Sequence, residues 1–81
     1  KVCCLADENC EGRIEWHHAL RFAGKRINET FCILPVCHWH HVHEAQFKHE
    51  LDWTMVQRST PEQLKPYNKA IDYELLRMMY D

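Results

Sequence analysis

No stretch of this chain approaches the roughly 18 consecutive apolar residues that a membrane-spanning helix needs, so no membrane association is expected. The opening Lys1-Val2-Cys3-Cys4 carries no apolar segment of the secretory kind, and the expectation is an intracellular, cytoplasmic setting in which thiols stay reduced. There is no repeat and no low-complexity segment. A surplus of positive charge is also missing: 10 Lys+Arg against 12 Asp+Glu leave a net charge of −2, which by itself does not mark a nucleic-acid binder. The 5 cysteines are an odd number, so disulfides alone would leave one unpaired, and a disulfide-stapled secreted domain has little support. Length is the last shortage. A chain of 81 residues makes a single domain, 1–81. Cores of that size supply only about 3–5 kcal/mol, so a staple is needed, and a metal is the staple that fits.

The chain is rich in histidine. Six of its 7 histidines fall in two short tracts, Ile14-Glu15-Trp16-His17-His18-Ala19-Leu20 and Val36-Cys37-His38-Trp39-His40-His41-Val42-His43-Glu44. Histidine is the commonest metal ligand and titrates near neutral pH, which suits it to general-base work. Charge is also unevenly distributed. Arg13, Arg21, Lys25 and Arg26 gather ahead of and between the two tracts, where a basic loop suits a phosphate backbone, although charge alone fits a solvated loop equally well.

Residues 1–12 read as a knuckle, Cys4 to Cys10 with Gly12 for a turn. Residues 13–19 alternate as a strand does, with Ile14 and Trp16 on one face. Phe22 to Asn28, with Gly24 inside it, reads as a connecting loop, and Thr30 to Val36 as a second strand with Pro35 at an edge or bulge. From about His38 to Glu50 the pattern is helical, with Trp39, Val42 and Phe47 available for packing. Residues 51–58 are ambiguous. Thr60 is an N-cap with Pro61 at the first helical position, and Pro66 interrupts that helix or begins another. Tyr67 to Tyr80 predicts an amphipathic helix with Ile71, Leu75, Met78 and Met79 as its stripe. Trp16, Trp39 and Trp53 are expected in the core, with Met55, Met78 and Met79 there or at an oligomer interface. His43 is expected at the surface, and His49 at the surface or in packing.

Cys37 and His40 stand three apart at a helix start, so both reach one ion. Cys4 and Cys10 supply the other pair, with Cys3 as the alternative to Cys4, giving a structural Cys3His zinc shell. His41 lies about 100° further round the helix and points elsewhere, which leaves His17, His18 and His41 either as a second cluster or as surface residues.

The order of these pieces resembles the HNH endonucleases, the His-Me finger nucleases. It consists of a strand ending in a His pair, a loop, a strand ending Leu34-Pro35-Val36-Cys37, and a helix opening Cys-x2-His-His. The likeness covers residues 3–50, while residues 51–81 form a C-terminal helical extension that matches nothing in that family. It implies an α+β fold: a small, zinc-stapled ββα-metal domain, treble-clef-like, with an added C-terminal helix. Carried over by position, His17 and His41 resemble the ligands of a catalytic divalent ion such as Mg2+ or Mn2+. His18 resembles the general base, and Cys4, Cys10, Cys37 and His40 the structural Zn2+ shell. One position departs from the pattern. The family's middle Asn falls on Cys32 here, and Asn28, four residues earlier, is the stand-in.

The resemblance implies metal-dependent nicking or cleavage of DNA. His18 accepts the proton of water, and one cation, with open coordination positions, polarises the phosphate. Strand alternation sets His17 and His18 on opposite faces. Arg13, Arg21, Lys25 and Arg26 become backbone contacts, and with no base-reading helix the sequence specificity expected is weak. Small free-standing members of the family occur in phages and in bacterial defence. The competing expectation is a non-catalytic zinc-binding module that binds DNA or a protein partner, favoured by Cys32 and by the acidic net charge. Oligomeric state is left open.

Overall fold

The computed structural model describes residues 2–81; Lys1, the first residue of the expected 1–12 knuckle, lies outside them. The described residues form an α+β fold. β1 (Ile14–His18) and β4 (Ile33–Cys37) pair antiparallel, with Ile14 opposite Cys37 and His18 opposite Ile33. Both His tracts therefore meet at this ribbon: one ends β1, and the other begins where β4 gives way to α1 (His38–Val42). Pro35 sits inside β4 without loss of a ladder bond. Its carbonyl points away from β1 and accepts from the Cys4 amide at 2.9 Å, and in a strand the missing N–H lies on that same side.

The expected 30–36 strand starts late, because Thr30–Cys32 winds into a 3₁₀ turn before the strand at Ile33. The expected loop at 22–28 instead contains a small hairpin, β2 (Arg21–Phe22) with β3 (Lys25–Arg26). Its turn places Ala23 at φ 55 and Gly24 at φ 78, the left-handed pair that a tight type I′ hairpin demands.

Beyond α1 the helical pattern is broken. His43 leaves helical geometry, Glu44–Phe47 forms a 3₁₀ turn, and α2 (Lys48–Arg58) absorbs the ambiguous 51–58 stretch. α3 (Pro61–Leu64) opens on Thr60 with a complete capping box: Thr60 accepts from the Gln63 amide, and the Gln63 side chain from the Thr60 amide. A 3₁₀ segment over Lys65–Ala70 follows, carrying Pro66. The expected 67–80 helix is consequently shortened to α4 (Tyr73–Tyr80), capped by Asp72. Ile71 lies outside it in extended backbone, so the stripe counted from Ile71 is out of phase. Leu76 turns inward at 2% exposure, while Met78 is 79% exposed.

Leu34, Val36, Leu51, Met55 and Leu76 are the best-buried apolar side chains of the core, with Cys32 among them. α4 packs on α2, and the Lys65–Ala70 segment packs on β2, where the Tyr67 ring meets Phe22 at 5.7 Å. Trp39 and Trp53 pack against this core, but Trp16 is 53% exposed and Val42 62% exposed. Trp16 lies on a two-stranded ribbon, and its ring stays half exposed. Met79 is also exposed, whereas His43 is half-buried, stacked on Trp39 at 4.1 Å. Among the described residues no helix is long and apolar enough to cross a membrane.

Candidate metal centres

Four donors converge at one end of the ribbon: Cys3, Cys10, Cys37 and His40. His40 Nδ1 stands 3.6 Å from Cys3 Sγ, 3.6 Å from Cys10 Sγ and 3.1 Å from Cys37 Sγ. Tetrahedral zinc holds thiolate at about 2.3 Å and imidazole at about 2.0–2.1 Å, which sets sulfur and nitrogen about 3.6 Å apart. The cluster therefore fits a structural zinc site without rearrangement.

Local folding explains each donor. Cys37 is the N-cap of α1 and accepts the His40 amide, so the first helical turn brings His40 back over it. The knuckle is folded by Asp7, whose carboxylate accepts the Asn9 amide and whose carbonyl accepts the Cys10 amide. Gly12 then brings it onto α1: at φ 86 its position approaches His38 so closely that an added Cβ would lie 2.7 Å from the His38 Cβ. The ligand expected at Cys4 is instead Cys3. Cys4 lies in a turn closed by the Ala6 amide on the Cys3 carbonyl, and its own amide is tied to Pro35. Cys3 is thereby buried in the cluster, while the Cys4 thiol turns toward α2, where burial raises its pKa.

The electrostatics suit a thiolate shell. Burial works against ionising Cys37, but the amides of His40 and Glu11 and the His40 ring outweigh it and bring the thiol down to about 6. His40 is wholly buried and its Nε2 donates to Asp7 Oδ2 at 3.1 Å, fixing Nδ1 as the metal-facing nitrogen. Asp7 had no signal in the sequence beyond its place inside the Cys4–Cys10 loop.

A second group forms on the other side of the ribbon: His17, His41 and Glu44. His17 Nδ1 lies 2.8 Å from Glu44 Oε2, and His41 Nε2 lies 3.9 Å from the same oxygen. Neighbouring donors of an octahedral cation with bonds of about 2.1 Å are about 3.0 Å apart, so these residues fit one divalent ion with modest adjustment. Burial lowers the His17 pKa, with Glu44 opposing, which keeps a lone pair available. His41 Nδ1 donates to Glu15 Oε1 at 2.7 Å, which turns its Nε2 toward the group. His38 Nδ1 reaches the other Glu15 oxygen at 2.9 Å, and together these bonds hold the Glu15 pKa down to about 2. Glu44 escaped sequence reasoning, although His41-x2-Glu44 is the spacing that shares a helical face.

His17 and His18 both contribute to the lining of one cavity of about 380 Å³ at the end of β1. Asn28, the stand-in for the missing Asn, is exposed. The buried group in that region is Cys32 itself, whose Sγ donates to the carbonyls of Glu29 at 3.2 Å and Ile27 at 3.4 Å. Its own carbonyl accepts the Ala19 amide, the residue after His18, at 2.9 Å. Of the four basic residues, Arg21 lines the cavity, Lys25 and Arg26 are exposed on β3, and Arg13 pairs weakly with Glu15 at 3.5 Å. No protein-family model, curated protein or solved structure matches this chain.

Proposed function

We propose that this protein is a metal-dependent HNH-type endonuclease or nickase, stapled by zinc at the Cys3–Cys10–Cys37–His40 group and catalytic at the His17–His41–Glu44 group. The observation that carries the reading is the grouping of His17, His41 and Glu44, with His17 and Glu44 lining the same cavity as His18. Three ligands on one side leave coordination positions open, which a four-ligand shell such as the zinc cluster does not. His17, His41 and Glu44 are the residues that would hold the ion, and a divalent cation there supplies polarisation of the phosphate and stabilisation of the leaving 3′ oxygen.

The chain's own side chains account for the rest. His18 accepts a proton on its ring nitrogen from the water that attacks phosphorus, while the P–O3′ bond breaks and the 3′ oxygen takes a proton from solvent. Glu15 acts through His41 by fixing its tautomer. The hairpin supplies the charge: Arg21 faces Arg26 directly across it, a like-charge pair that a phosphate between them would relieve. Cys32 supports the reading rather than opposing it, since its thiol bonds the carbonyls of the loop that follows His18.

The test is nicking of supercoiled plasmid by zinc-loaded protein with Mg2+, Mn2+ or Ni2+, with EDTA, and with His41→Ala. Nicking that needs an added ion and falls at least a hundredfold in His41→Ala is expected. Protein that carries its zinc but does not cut with any of these ions would leave a non-catalytic zinc module that binds DNA or a protein partner.

A further inference from the structure

We propose that the cavity beside His17 and His18 receives the base of one unpaired nucleotide next to the scissile phosphate, so that the substrate is single-stranded or locally unpaired nucleic acid; this rests on the nuclease reading above. The cavity, about 380 Å³, lies within the range of small-ligand pockets. Its far wall comes from the C-terminal extension, Ala70 and Ile71, and from α2.

Leu20, Met55 and Ile71 line it, each at 9% exposure or less. That apolar lining offers a sugar-phosphate backbone no hydrogen bond, but it suits the flat face of a base. The polar lining argues in the same direction. Lys48 Nζ and Asp52 Oδ2 pair at 3.0 Å at the exposed rim, which leaves a donor and an acceptor at the cavity entrance. Asp52 and Glu44 also line the cavity, and Arg21 and Lys48 on the same lining balance their charge, so the interior carries no net charge and tolerates a neutral base. The phosphate is placed at the His17–His41–Glu44 group, where a cation would hold it, and the base in the interior. A base stacked and paired in a duplex cannot enter without leaving the helix.

Two measurements on the zinc-loaded protein test this. Labelled oligonucleotides of one sequence, single-stranded and duplex, are cleaved side by side by wild type and by Ala70→Trp, which fills the cavity from an exposed position. Wild type should cut the single strand at least tenfold faster, and Ala70→Trp should lose that preference with its zinc content and melting temperature unchanged. The Met55 and Ile71 methyl NMR signals are then followed on titration with dAMP and with deoxyribose 5-phosphate. Saturable shifts with dAMP alone, absent in Ala70→Trp, are expected. Equal cutting of both oligonucleotides overturns the substrate assignment and leaves the nuclease reading standing. Cutting of neither removes both. Identical methyl responses to the two phosphates, or none, overturn the base-binding cavity whatever the cleavage shows.

Discussion

At the residue scale, neighbours decide what each histidine can do. His40 and His41 are adjacent, yet one is locked into the thiolate cluster by Asp7 and the other is aimed across the ribbon by Glu15. The sequence made the ligand types legible, because Cys-x2-His at a helix start has few other uses. It could not separate Cys3 from Cys4, since that choice hangs on one backbone bond to Pro35. Nor could it find Asp7 or Glu44, whose roles depend on contacts across the fold: His40 lies 33 positions from Asp7. Outer carboxylates that fix a ligating imidazole typically matter 10- to 100-fold in metal affinity. Asp7→Asn should accordingly weaken zinc binding by about tenfold or more in competition with a chromogenic chelator, with the fold retained at saturating zinc. Unchanged affinity would show that the Asp7 bond does not tune the shell.

At the element scale, the legible parts were those with local signals. The strand at β1, the Thr60-Pro61 helix start and the apolar Ile33–Val36 run all appear close to where periodicity and capping put them. The parts that departed did so where tertiary packing or a single dihedral intervened. The 22–28 stretch looked like a loop because Ala23 is not a hairpin-turn residue, yet it adopts φ 55. The 67–80 helix was overestimated because nothing in its stripe records that Ile71 stays extended below the Asp72 cap. The strain at Ala23 is testable. Left-handed backbone costs a non-glycine residue about 1–2 kcal/mol, and Asn tolerates it better. Ala23→Asn should raise the urea midpoint, by about 0.5 kcal/mol in stability, whereas Gly24→Ala should lower it. A lower midpoint for Ala23→Asn would mean the turn is not strained as described.

At the scale of the whole molecule, two groups of possible metal ligands form beside one small ribbon. The zinc cluster ties the knuckle to α1, and the second group gathers on the opposite side with an open cavity. Structural zinc contributes an apparent 10–16 kcal/mol or about that in small domains, against about 3–5 kcal/mol from a core of this size. Folding is therefore expected to depend on the metal. Chelator should abolish the cooperative thermal transition and Cys37→Ser should do the same, while reductant alone should leave it unchanged, because none of the cysteines is paired. A cooperative transition in Cys37→Ser at wild-type temperature would refute the zinc staple.

The central claim is that His18 performs chemistry in a protein whose fold is held elsewhere. The measurement that tests it most directly is the single-turnover nicking rate of supercoiled plasmid by wild type and His18→Ala, each carrying one zinc per chain, in Mg2+ and in Mn2+. A fall of about 10²- to 10⁴-fold in His18→Ala, with zinc content and melting temperature unchanged, is the predicted result, that being the usual worth of a general base. Equal rates in the two proteins would contradict the account.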